Sequence, residues 1–251
     1  MMPWRWTGRT GALLASLCYF QAFASTEDRA SYRVALACIS IADLEIAVRR
    51  DGDQYDAQLE GSYRVLFWSG EVSSRSTGAV DASGPSPKRF ETSNNNSDEP
   101  SKTIIEFAKP EGPVQWGRTP PAPEEWTEGR TPLEKIHLRT ALDPVSAIAA
   151  SVLGSTGGTA PDVCSRAVRV FTGTTVFELD FQGALPTEGD RVACAVTYRP
   201  LSGHRVERTN ADRLSKPGSI KISFERLPSG AWVPAMVTVP TRVGPLVVER
   251  T

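Results

Sequence analysis

From Tyr32 to Val48 the apolar side chains fall on one parity: Tyr32, Val34, Leu36, Cys38, Leu44, Ile46 and Val48. Arg33, Asp43, Glu45 and Arg49 occupy the other. Alternation with a period of two predicts a strand with one buried and one wet face. A single strand of that length is unusual, so the pattern also predicts a bend or bulge near residues 40–42. Asp51-Gly52-Asp53 supplies a hairpin turn. Tyr55, Ala57 and Leu59 then alternate with Asp56, Gln58 and Glu60, and Tyr63, Val65 and Phe67 lead on toward Glu71–Val80. The period returns late in the chain. Phe177, Leu179 and Phe181 alternate with Glu178, Asp180 and Gln182; Val192, Cys194, Val196 and Tyr198 share a face; Ile220, Ile222 and Phe224 alternate with Lys221, Ser223 and Glu225. Turns at Thr172-Gly173 and Pro228-Ser229-Gly230 separate these runs from Val168 and Val170 before them and from Ala231–Val239 and Leu246–Val248 after them.

The middle of the chain reads differently. Residues 81–101 hold Gly84, Pro85, Pro87, Asn94-Asn95-Asn96 and Pro100, which predict an irregular surface connection. A strand over Thr103–Ala108 follows, then a second irregular, proline-rich stretch over 110–132 that carries Trp116 and Trp126. Thr131-Pro132-Leu133-Glu134 has the form of a capping box opening a short helix, although Lys135–Thr140 suits a strand nearly as well. Asp143 is an N-cap followed by Pro144 at the first helical position; Val145, Ile148, Ala149 and Val152 recur at helical spacing, and Gly154 stops the run. This predicts a helix over 144–153, with a glycine-rich link over 154–158. The expected fold is mainly β: a strongly curved antiparallel sheet, barrel-like or spiral, of about ten or more strands, with one or two short helices.

Residues 1–24 read as a cleavable secretory signal. Arg5 and Arg9 precede the apolar run Gly11–Phe20, and Ala22-Phe23-Ala24 places small residues at the −3 and −1 positions. Cys18 follows Leu17, not the small residue that precedes a lipid-acceptor cysteine, which favours an unlipidated product. The mature chain, 25–251, is expected to be one periplasmic domain. The whole sequence has a net charge of −1, and without Arg5 and Arg9 the mature chain has 26 basic against 29 acidic residues, spread without a basic stripe, which argues against nucleic-acid binding. Outside the signal no apolar run is long enough to span a bilayer as a helix.

Chemistry-bearing motifs are scarce. There is no Gly-x-Ser-x-Gly elbow, P-loop or dinucleotide fingerprint, and the two histidines are His137 and His204. His204 follows Ser202-Gly203 and reads as an exposed loop residue. Glu178 and Asp180 point to one side about 7 Å apart, a separation that would suit a glycosidase pair, but they lie on the wet parity and read as solvated sheet face. No metal or cofactor is expected. Cys164 and Cys194, thirty residues apart, are expected to form a disulfide, against the alternative of two buried thiols. Cys38 reads as a small buried residue. Trp116 and Trp126 form either a lid or rim for an apolar ligand or part of the core; with Phe177 and Phe181 they are the candidate ligand-binding residues.

Three segments resemble a known family. Asp143-Pro144-Val145-Ser146-Ala147 resembles the Asp-Pro-Leu-Ser-Ala helix start of domain of unknown function 3108, Val170-Phe171-Thr172-Gly173 resembles its Val-Phe-Asp-Gly hairpin, and Cys194 to His204 resembles its Cys-x-x-x-Tyr-x-Pro-x-x-Gly segment. The resemblance runs over roughly residues 30–250 and departs at Thr172 and Thr174, where the family tends to have Asp and Arg. It implies export to the periplasm and a β-rich shape similar to curved-sheet carriers of lipids and lipoproteins; it implies no catalytic residues. The expected function is a non-enzymatic role in cell-envelope maintenance, with a lipid, a lipoprotein acyl chain or another envelope protein as partner. The alternatives are an interaction module with a filled core and an undetected hydrolase. An apolar cavity lined by Leu36, Leu44, Ile46, Tyr55, Phe177, Phe181, Ile222 and Phe224 would separate the first from the second.

Overall fold

The computed structural model describes residues 26–251 except 97–99, 110, 155–162, 186, 188–190 and 208–210. The proposed signal and nearly all of the glycine-rich link therefore lie outside the described residues. Seven strands run in order as a meander: β1 (Thr26–Leu36), β2 (Ile39–Asp51), β3 (Gln54–Val65), β4 (Trp68–Asp81), β5 (Gly84–Asn96), β6 (Ser101–Ala108) and β7 (Gly112–Thr119). Among the described residues three short helices follow, α1 (Glu124–Thr127), α2 (Lys135–Leu138) and α3 (Pro144–Leu153). A second meander returns through β8 (Ala167–Phe171), β9 (Val176–Leu185), β10 (Arg191–Ser202), β11 (Ile220–Arg226), β12 (Trp232–Thr241) and β13 (Gly244–Arg250), with a helical turn at Ala211–Leu214 between β10 and β11.

All thirteen strands form one antiparallel sheet ordered β7-β6-β5-β4-β3-β2-β1-β13-β12-β11-β10-β9-β8, nearly closed into a barrel. The first and last strands meet in its middle, Tyr32 opposite Arg250 and Leu36 opposite Leu246. The edges β7 and β8 face each other across a seam. A short strap over residues 138–142, running from the end of α2 toward the start of α3, fills it. Leu142 N donates to Arg169 O at 2.9 Å and Phe171 N donates to Leu142 O at 2.8 Å, so the strap pairs with β8. On the other side the strap lies against β7: a Cβ on Gly112, whose φ is +86°, would sit 2.2 Å from Leu138 O, which only glycine allows. Trp116 of β7 meets Phe171 of β8 edge-to-face at 5.1 Å.

The helix predicted over 144–153 forms with those bounds and lies against the inner face of the sheet. It packs on β2 to β5, β8 and β12. Val145, Ala149, Val152 and Leu153 are buried there with Tyr55, Phe90, Ile105 and Phe171. A second cluster surrounds the disulfide: Cys164, Cys194, Phe181, Val192, Phe224 and Trp232. Cys164 and Cys194 are bonded with Cα atoms 5.3 Å apart, as expected.

Several expectations are corrected. Tyr32 to Val48 is two strands and not one bent strand. The chain reverses at Ala37 and Cys38, whose φ values are +48° and +72°. Cross-strand partners in a hairpin share a face, so Tyr32 opposite Leu44 continues the parity through the turn and hides it. The register also shifts between Val34 and Ala35, consistent with the bulge expected in this region. Cys38 is consequently an exposed free thiol and not a core residue. Residues 84–96 are strand, not loop. Pro85 and Pro87 are tolerated because β6 pairs β5 only from Arg89 to Asn94, leaving the proline end without a partner on that side. Residues 112–119 are also strand. The capping box at Thr131 does not form: Thr131 N donates to His204 O, and α2 starts after Glu134, which makes no side-chain cap.

Closing a thirty-residue separation, the disulfide contributes about 3–4 kcal/mol on the chain-entropy estimate. Cys164→Ser should therefore lower unfolding free energy by about that amount in denaturant titration. Native-state alkylation followed by peptide mapping should modify Cys38 alone; a bridged or protected Cys38 would contradict its exposed position.

Candidate functional site

Two features stand out from the sheet: an open cleft on the seam and a buried polar cluster at the start of α3. The cleft has a volume of about 570 Å³ and is lined by the β4–β5 and β6–β7 turns, the strap, the end of α3 and the start of β8. Pro85, Phe107, Leu142, Ala150 and Val168 give it an apolar wall. Its charged groups are Lys109, Arg166, Arg169 and Glu178. Lys109 is paired with Asp81 at 2.8 Å, and Arg169 with Glu178 at 3.1 Å. Arg166 has no carboxylate partner among the described residues. Its guanidinium lies 5.3 Å from the centroid of the Phe181 ring, and its Nη1 makes a long 3.4 Å contact to Ala150 O, while Nε has no hydrogen-bond partner. Burial pushes its pKa down, the signature of a cation held away from water.

The polar cluster ties α3 to the sheet. Asp143 caps the helix by accepting from Ser146 N at 2.9 Å, and its Oδ2 lies 2.6 Å from Ser146 Oγ and 2.8 Å from Ser76 Oγ. The Tyr55 hydroxyl lies 2.7 Å from Ser146 Oγ. Asp143, Ser76 and Ser146 are fully buried. Burial pushes Asp143 upward, against the hydrogen bonds that favour its charge, and pushes Tyr55 up to about 12. The hydrogen count agrees. If both serines donate to Asp143 Oδ2, neither has a proton for the 2.8 Å contact between them; a protonated carboxyl supplies the missing one. The cluster contains no histidine. His204 is half-buried and not an exposed loop residue; its Nε2 donates to Val176 O at 2.9 Å.

The structure does not gather the four expected ligand residues. Trp116 is 38 % exposed, with its ring edge on Phe171. Trp126, 48 % exposed on α1, lies under the Arg118 guanidinium. Phe177 stacks on Tyr198 at 4.9 Å, and buried Phe181 lies 6.3 Å from Phe224. Only Phe181 approaches the cleft, through Arg166. Glu178 and Asp180 do lie on one side, each paired with an arginine, Arg169 and Arg199. Sequence reasoning missed Arg166, for which there is no local signal. It also missed the role of Ser76, which was legible: Ser74, Ser76 and Val80 share the inward parity of β4, and a serine there needs a buried partner. Among the described residues no group of His, Cys, Asp and Glu is placed to hold a metal ion.

The chain matches the family described as protein of unknown function (DUF3108) over residues 31–251. It belongs to the DUF3108 family. No curated protein and no solved structure matches it. The three DUF3108-like segments converge on the seam. Asp143 to Ala147 follows the strap and opens α3; Val170 to Gly173 ends the edge strand β8; Cys194 to His204 carries the disulfide and then grips the β8–β9 hairpin. At that grip a Cβ on Gly203 would lie 2.1 Å from Thr174 O, and Arg130 Nη1 donates to Gly203 O at 2.8 Å. At the hairpin, where this member departs from the family pattern, Thr172 Oγ1 lies 2.9 Å from Thr175 Oγ1 and accepts from Thr175 N at 3.3 Å, closing the turn with hydroxyls.

Because the folded state raises the Asp143 pKa, this site favours folding most at low pH. That contribution is complete below the ordinary carboxylate value and is lost as pH rises through the raised folded value. Asp143→Asn keeps a capping side chain and has no such proton. Its stability relative to the parent should rise between pH 4 and pH 8 in denaturant titrations. A difference that is flat or falls with pH would mean that Asp143 is ionised in the fold.

Proposed function

We propose that this DUF3108 member is a non-enzymatic cell-envelope protein, exported to the periplasm through residues 1–24, that binds an amphiphile in the seam cleft. The ligand class is a lipid or lipoprotein acyl chain carrying an anionic head. The observation that carries this reading is the pairing of an apolar-walled cleft with Arg166, a cation without a carboxylate partner among the described residues. A carboxylate or phosphate head would compensate Arg166, while Pro85, Phe107, Leu142 and Val168 would take the chain. The disulfide suits an oxidising compartment.

A second reading has its own support. The inward parity that was expected to line a cavity is packed: Ile46 and Tyr55 lie in one buried cluster with α3, and Ile222 and Phe224 in the other. A filled interior favours an interaction module, and it moves any ligand site to the seam.

The test is a titration of the signal-cleaved protein with oleate and with a lysophospholipid. The parent should bind with micromolar or weaker affinity, and Arg166→Gln should weaken binding about tenfold or more. No binding by the parent, or equal binding by the variant, would leave the interaction module standing. Trp126→Ala should leave both binding and the thermal midpoint nearly unchanged. Trp116→Ala should lower the midpoint, because its ring edge packs on buried Phe171.

A further inference from the structure

Alternate turns of a meander lie at opposite ends of its sheet. The β1–β2, β3–β4 and β12–β13 turns therefore share the end of the barrel opposite the β4–β5 and β6–β7 turns that line the cleft. They are neighbours along that rim. Ala37 N donates to Pro245 O at 3.0 Å, joining the β12–β13 and β1–β2 turns; β2 pairs β3 from Asp51–Gln54 up to Ala42–Tyr63, and the β3–β4 hairpin continues past that pairing to its turn at the same end. Each of the three tips exposes at least one large apolar side chain. Phe67 is 95 % exposed and Leu66 80 %; Trp68, Ile39 and Val243 are also exposed.

Turn chemistry does not explain these residues. Tight hairpin turns with left-handed backbone favour Asn, Asp and Gly. Here Leu66 has φ +55° and Ala37 and Cys38 have +48° and +72°, a conformation that costs a residue bearing a Cβ. The tips thus expose large apolar groups to water, and at Leu66 the backbone disfavours the side chain as well. Arg64 stands beside the β3–β4 tip and Arg242 within the β12–β13 turn; both are exposed and neither makes an ion pair among the described residues.

We propose that this rim docks on a lipid bilayer whose surface carries anionic headgroups. Convex tips bearing Leu, Phe and Trp suit the boundary between headgroups and acyl chains, where aromatic rings are favoured. The two free arginines match the charge of an anionic surface and fix the choice of occupant. The proposal does not rest on the cleft, which lies at the other end.

Cys38 on the rim provides the probe. The signal-cleaved protein, labelled there with an environment-sensitive fluorophore, should show a blue shift and co-float with vesicles of phosphatidylglycerol and phosphatidylethanolamine, and bind phosphatidylcholine vesicles at least tenfold more weakly. Leu66→Asn with Phe67→Gly installs favoured turn residues; it should keep the thermal midpoint and reduce flotation at least tenfold. Arg64→Ser with Arg242→Ser should remove the preference for anionic vesicles. Arg166→Gln should leave flotation unchanged, which separates this surface from the cleft. Absence of parent flotation, or equal flotation of the Leu66/Phe67 variant, would overturn the proposal, as would a rim that captures only protein.

Discussion

A sheet that curls almost onto itself must fill its own interior, and among the described residues one of the two buried clusters that do so is built around a ten-residue helix. The rest of the structure depends on where that helix is fixed. Asp143 sets its first turn, and the same carboxyl is held by Ser76 of β4, while Tyr55 of β3 reaches Ser146. Four buried polar side chains from three elements lock one geometry. Each alone would be costly in an apolar core, and each is tolerated because the others satisfy it. The apolar face then follows. Val145, Ala149, Val152 and Leu153 reach both halves of the sheet, and burying the larger of these contributes about 1.5–3 kcal/mol per side chain.

Anchoring α3 also places the strap. Leu142 stands immediately before Asp143 and pairs with β8, so the N-terminus of the helix and the closing of the seam are one local event. This explains why the three family-like segments, far apart in sequence, meet in space. One starts the plug, one forms the edge it closes against, and one holds that edge from behind. The cleft lies beside this closure, and Arg166 at its base reaches the last turn of the same helix.

Much of this was legible in the sequence, and the failures have physical reasons. Period-two alternation marked the strands, and the Asp143-Pro144 start with Gly154 fixed the helix, because capping and periodicity agreed. The Cys164–Cys194 bond was expected from spacing together with the compartment that residues 1–24 imply, and the bond itself forms. The Ala37–Cys38 reversal was hidden because its residues carry no turn signal and because hairpin partners share a face. The β5 strand was hidden because proline is read as a breaker unless the missing neighbour at Pro85 and Pro87 is known. The cleft was not legible at all: it is built from two turns, a strap and a strand start that only the closed sheet brings together. Trp116 and Trp126 drew attention as aromatic residues in a proline-rich segment, but β7 and the contact to Phe171 account for the first.

α3 and its polar anchor are the keystone of the closed sheet, not a surface appendage. Hydrogen exchange under native conditions tests this most directly. Amides of Ala147–Leu153 should be among the slowest in the protein and should open together with β3, β4 and β8. In a Ser76→Ala variant, protection in α3 and in β8 should fall in parallel. If α3 exchanges quickly while the sheet remains protected, or if the variant loosens α3 and leaves β8 untouched, the helix does not close the seam and the account is wrong.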